Sequence, residues 1–270
     1  MTHFRKLAAG VAVALALSAP AHAHRAWILP STFTLSGDEQ LITVDGAISN
    51  DLFFPNHVAM RLDDMKITAP DGTVTGVENG WTGKIRSTFD VTLDQQGTYK
   101  IGNGGNSFFA SWEEDGERRR ARGTYEGFKE EGVLDKDGVE LTKMSRQTAT
   151  FVTLGAPTDD VFATTGEGLE FTPVTHPNDV YTGEEITFGF TLDGAPIEGM
   201  EVEIVKGHDR YRDEQGTLEL TTDADGQITF TLEESGRYWL ETGTQGTTMV
   251  DGKEIGARSG YVITFEALSF

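Results

Sequence analysis

Cysteine is absent from the 270-residue chain. That rules out disulfides, thiolate metal sites, a cysteine nucleophile and a lipid-bearing cysteine behind an export signal. Bases are scarce: 22 Lys and Arg stand against 43 Asp and Glu, a net charge of −21. Nucleic acid and anionic lipid surfaces both require clustered cations, so neither is expected as a partner. Apart from residues 7–17 the chain has no long apolar run, and even that one is too short to span a bilayer, so no membrane span is expected in the processed protein. Catalytic motifs are missing too. There is no His-Glu-x-x-His, no Gly-x-Ser-x-Gly, no phosphate-binding glycine loop and no dinucleotide fingerprint, and the expectation is a protein that is not an enzyme. Carboxylate pairs are too abundant in so acidic a chain to mark a glycosidase. Asp223-Ala224-Asp225-Gly226 and Asp135-Lys136-Asp137-Gly138 lack the further ligands of a calcium loop and read as turns.

What is present starts with a leader. His3, Arg5 and Lys6 form a basic start, residues 7–17 an apolar run, and small residues at 21 and 23 a cleavage site, so residues 1–23 read as a signal peptide and the product as periplasmic. A cut after Ala23 makes His24 the first residue. Its α-amino group and its Nδ1 then close a chelate ring on one metal ion, and imidazole suits copper, nickel and zinc. A cut after Ala21 instead puts His22 first and His24 third, which is also a copper- and nickel-binding arrangement. With soft ligands nearly absent, Cu(II) or Ni(II) is expected over Cu(I).

The rest of the sequence alternates apolar and polar residues between glycine-rich turns. Ser87-Thr88-Phe89-Asp90-Val91-Thr92-Leu93 is a clear example, and the expected class is all-β: two tandem antiparallel β-sandwich domains, Ig-like or prealbumin-like, after a cleaved signal peptide. The domains are expected at residues 24–155, with a short helix from Tyr125 to Gly132, and 168–270, joined by a linker at 156–167. In Val58-Ala59-Met60-Arg61-Leu62-Asp63 a period of two puts Val58, Met60 and Leu62 on one face and His57 on the polar side, at the mouth of the strand. Metal-ligand candidates are therefore His24, His57 and His208, with His176 unassigned. The aromatic loop Phe53-Phe54-Pro55 reads either as a hydrophobic plug or as a surface docking on a membrane transporter or receptor. The basic run Arg118-Arg119-Arg120, with Arg122, reads as local counter-charge on a hairpin, or as an anion or partner site.

Two resemblances follow from short motifs. Asp193-Gly194-Ala195-Pro196, Thr222-Asp223-Ala224-Asp225-Gly226 and Ser235-Gly236-Arg237-Tyr238-Trp239 resemble prealbumin-like or carboxypeptidase-regulatory-like sandwiches. His24-Arg25-Ala26-Trp27-Ile28-Leu29-Pro30, Phe128-Lys129-Glu130-Glu131-Gly132 and Tyr181-Thr182-Gly183-Glu184 with Asp193-Gly194 resemble the DUF4198 family of exported bacterial proteins. That resemblance, which is NikM-like, implies a periplasmic accessory protein for nickel or another transition metal, and it carries a site role onto His24.

Overall fold

The alternation becomes strands that bury every second side chain, as in β8 below, whose seven residues run buried, half-buried, buried throughout. The computed structural model describes residues 24–269; the proposed signal peptide lies outside the described residues. The first half holds β1 (Arg25–Pro30), β2 (Thr34–Leu35), β3 (Gln40–Ser49), β4 (Val58–Ala59), β5 (Met65–Thr68), β6 (Val74–Thr75), β7 (Glu78–Thr82), β8 (Ser87–Leu93), β9 (Gly97–Glu114), β10 (Glu117–Gly123), α1 (Tyr125–Glu130) and β11 (Glu140–Leu154). The second half holds β12 (Leu169–Pro173), β13 (Glu185–Leu192), β14 (Ala195–Pro196), β15 (Glu201–Lys206), β16 (Leu218–Thr221), β17 (Gln227–Thr231), β18 (Gly236–Val250) and β19 (Lys253–Ala267). The protein is all-β, as expected.

Among the described residues three sheets form, and one of them is shared by both halves. A five-stranded sheet runs β1-β3-β8-β7 with β4 on β3, and a four-stranded sheet joins β12, β13, β14 and β17. Between them lies a ten-stranded sheet, β16-β15-β18-β19-β11-β9-β5-β6 with β10 on β9 and β2 on β11. Its centre is the parallel pairing of β11 with β19, Thr142 opposite Gly256 through Thr150 opposite Thr264. Adjacent residues there serve different cores. Phe151 packs with Phe171, Phe188 and Phe265 against the four-stranded sheet, whereas Val152 packs with Ile101, Phe89 and Val91 against the five-stranded one. Each small sheet thus covers one face of the shared sheet, at opposite ends.

A third apolar cluster closes the junction, with Trp27 and Leu52 from the first half against Val205, Trp239 and Val262 from the second. Both indoles are buried, and both find acceptors: Trp27 Nε1 donates to Ser49 Oγ at 2.7 Å and Trp239 Nε1 to the Ala26 carbonyl at 2.9 Å.

Two local readings change. The stretch after His57 is a strand only over Val58–Ala59, so Met60 is buried while Val58 is 41 % exposed. Two residues of pairing are too few to carry the alternation onward. The 156–167 segment is packed rather than free: Phe162 lies 4.8 Å from Phe151 and 6.1 Å from Phe171, ring to ring.

His176 belongs to this junction. Its Nδ1 accepts from the Asn178 backbone N–H at 3.0 Å, so Nε2 carries the hydrogen and donates to Thr98 Oγ1 at 2.9 Å. Asn178 Nδ2 in turn donates to Thr153 Oγ1 and to the Phe33 carbonyl. Burial holds the His176 pKa below its ordinary 6.5, outweighing the opposing pull of Asp159 and Asp179. Protonation would set N–H against N–H at Asn178. The unfolded chain takes up this proton more readily, so His176 contributes no penalty above pH 6.5 and costs stability as pH falls below it. A thermal-melt series through that range is expected to show the loss, and His176→Gln to remove its share.

Candidate metal centre

His24 and His57 come from segments far apart in sequence, and their imidazoles stack with centroids 3.7 Å apart and planes 13° from parallel. Both side chains are exposed. His24 leads directly into β1, and His57 ends the aromatic loop just before β4. The register explains the meeting. β3 pairs with β1 along one edge, Arg25 opposite Ser49, and with β4 along the other, Ile48 opposite Val58. The two histidines therefore flank the same end of β3.

The aromatic loop is fixed from inside. Ser49 Oγ donates to the Asp51 carbonyl, Asn56 Oδ1 accepts from the Asn50 N–H, and Asn56 Nδ2 donates to Asp51 Oδ2. Leu52 is buried, and Phe53 meets Trp27 edge-on at 5.8 Å. Phe54 is covered by the Arg210 guanidinium, 3.7 Å from its ring centre. The loop thus plugs the junction of the two sandwiches.

The 206–212 segment completes this corner. A Cβ at Gly207 would meet Phe53 Cδ2 at 2.8 Å and the Arg237 carbonyl at 3.3 Å. Gly207→Ala is therefore expected to push the plug outward and cost about 1–3 kcal/mol in chemical denaturation, as overpacking does. Asp209 is 6 % exposed. Its Oδ1 accepts from the backbone N–H groups of Leu52 and Arg210, both at 3.0 Å, and its Oδ2 accepts from Arg25 at 3.3 Å. Arg25 also donates to Gln215 Oε1 at 2.8 Å and lies over the Trp239 ring at 5.2 Å. One carboxylate thus holds the residue after His24 and the loop that carries His57.

His208 precedes that anchor. Its backbone is left-handed, φ 65°, and its ring lies 6.2 Å from Tyr211. The structure thus stacks His24 on His57, gives His208 a tyrosine neighbour, and gives His176 a structural role. Among the described residues no group of three or more His, Asp and Glu side chains is placed to hold a metal. A site built on the pair needs another donor, and cleavage after Ala23 would supply the His24 α-amino group. The near-parallel planes also have to turn, since each imidazole lone pair lies in its own ring plane. The donor set fits a borderline divalent ion.

Asp209 and Arg25 are what residue-type reasoning passes over. Histidine drew attention to 208, but the buried carboxylate beside it does the positioning, across a separation of 184 residues to Arg25. Arg25, a charged residue opening the mostly buried strand β1, was the available signal.

A family model described as a domain of unknown function, DUF4198, matches residues 21–246, which takes in both histidines, their anchor and most of both sandwiches. The chain belongs to the DUF4198 family. No curated protein matches this DUF4198 member in sequence. Among solved structures it is similar to a DUF4785 family protein from Legionella pneumophila (10 % identity, 80 % of this chain and 50 % of that one, TM-score 0.25). It is also similar to the D0–D1 domain of intimin (11 % identity, 88 % of this chain and 96 % of that one, TM-score 0.22). The chain spans half the length of the Legionella protein. Neither likeness carries a residue correspondence.

Proposed function

We propose that this DUF4198 member is an exported, non-catalytic protein that binds one Cu(II) or Ni(II) ion and serves metal uptake or handling in the periplasm. The observation that carries the reading is the His24–His57 pair, two imidazoles from separate segments brought to 3.7 Å at the head of β1. After cleavage behind Ala23, the His24 amine and ring and the His57 ring are the donors, and His208 lies in the segment that anchors them. When bound, the ion would take imidazole and amine nitrogens, a set that favours Cu(II) or Ni(II) over Cu(I). The chain's own contribution is placement: Asp209 and Arg25 hold the first strand and the aromatic loop in register. A membrane transporter or receptor is the partner such a carrier implies. Calorimetric titration of the chain beginning at His24 with Cu(II) and with Ni(II) tests the reading. One equivalent bound with either metal is expected; diffuse, weak binding proportional to surface carboxylates would overturn it.

A further inference from the structure

β9, β10, β11, β18 and β19 continue past the residues of the two sandwich cores, and one face of this extension gathers four arginines. On β10, Arg122 stands opposite Phe109 of β9. Ser107 of β9 stands opposite Met144 of β11, and Met144 stands beside Arg258 of β19. Arg146 follows two residues after Met144 on the same face, and Arg118 reaches in to Ser111 and Glu140. Together Arg118, Arg122, Arg146 and Arg258 surround Phe109 and Met144 in a cleft of about 510 Å³, a ligand-sized volume. Small residues at 105, 107 and 111 form the depression.

Neutralisation of this cleft is incomplete. Arg118 pairs with Glu140 at 2.9 Å, and Arg146 pairs with Glu241. Among the described residues Arg258 has no carboxylate partner, and Arg122 has only the Ser107 hydroxyl, at 3.3 Å. In a chain of net charge −21, unpaired guanidiniums converging from separate strands are a specific arrangement. Guanidinium forks match carboxylates, and a rim of arginine around exposed apolar side chains is interface composition. Phe109 is 37 % exposed.

We infer that this cleft docks an acidic segment of a partner protein, carboxylates on the arginines and an apolar side chain on Phe109 and Met144. The apolar centre is what favours a peptide, because a sulfated or phosphorylated polymer would use the arginines alone. The inference is independent of the metal reading, since it shares no residue with it.

Fluorescence anisotropy at low salt tests it, with a labelled Glu-rich peptide carrying a central Leu-Phe pair as probe. The full chain is expected to bind the probe, and Arg258→Glu and Phe109→Ser each to weaken binding about tenfold or more, the size of one good contact. Replacing Leu-Phe by Ser-Ser in the probe is expected to weaken binding as well, and His57→Ala to leave it unchanged. Both side chains being at the surface, the variants should keep the parent melting temperature. Binding indifferent to both chain variants would overturn the inference, as would inorganic polyphosphate displacing a probe whose Leu-Phe pair proves dispensable.

Discussion

Asp209→Ala is expected to lower the stability of the folded chain by roughly 3–5 kcal/mol, the cost of removing one partner of a buried ion pair. The side chains involved are 4 % exposed for Asp209 and 11 % for Arg25. Alanine would strand the guanidinium in the junction and leave the Leu52 N–H, which now donates to Oδ1 at 3.0 Å, without an acceptor. Both losses act at the same point, where the first strand and the aromatic loop meet the second sandwich. Asp209→Asn keeps an acceptor for Leu52 and should fall between wild type and alanine. Urea denaturation reads the result as a fall in midpoint. A change below about 1 kcal/mol would match an exposed pair and would contradict the positioning role given to this carboxylate.

His57→Ala is expected to weaken Cu(II) binding by more than about a hundredfold, because direct donors matter more than the outer-shell groups whose loss costs 10–100-fold. After cleavage behind Ala23, His24 alone would supply its amine and one ring nitrogen. His57 is the side chain that its ring touches, at 3.7 Å, and no third His, Asp or Glu completes the group among the described residues. His208→Ala should change affinity by no more than about twofold, since its ring neighbour is Tyr211. Competition titration against a chelator of known affinity separates these outcomes. Equal losses from His57→Ala and His208→Ala would place the ion elsewhere.

The strands were legible because their signal is local. Period-two alternation in 87–93 became β8, and the glycine after a short polar-apolar run ended α1. The same logic found the histidine pair only as residue types. What brings His24 to His57 is the pairing of β3 with both β1 and β4, a relation between segments that periodicity does not encode.

The shared sheet was hidden for the same reason. Tandem sandwiches were expected as separate units, whereas β11 pairs with β19 in parallel over residues more than a hundred apart in sequence. Val58 shows the converse, an alternation in the sequence that the fold does not continue, because β4 stops at Ala59 and leaves Val58 at the surface. The arginine run was visible, and its hairpin register, Arg118 opposite Glu113 through Arg120 opposite Ser111, is local. Its convergence with Arg146 and Arg258 depends on the shared sheet and appears only in three dimensions.

We propose the α-amino group of His24 as a metal ligand. The most direct measurement is Cu(II) titration of the chain beginning at His24 beside the same chain with one alanine placed before it, each followed by electron paramagnetic resonance. Tight binding of one equivalent to the first chain is expected, with nitrogen couplings from amine and imidazoles, and loss of that site in the second. Identical affinity and identical spectra for the two chains would contradict it.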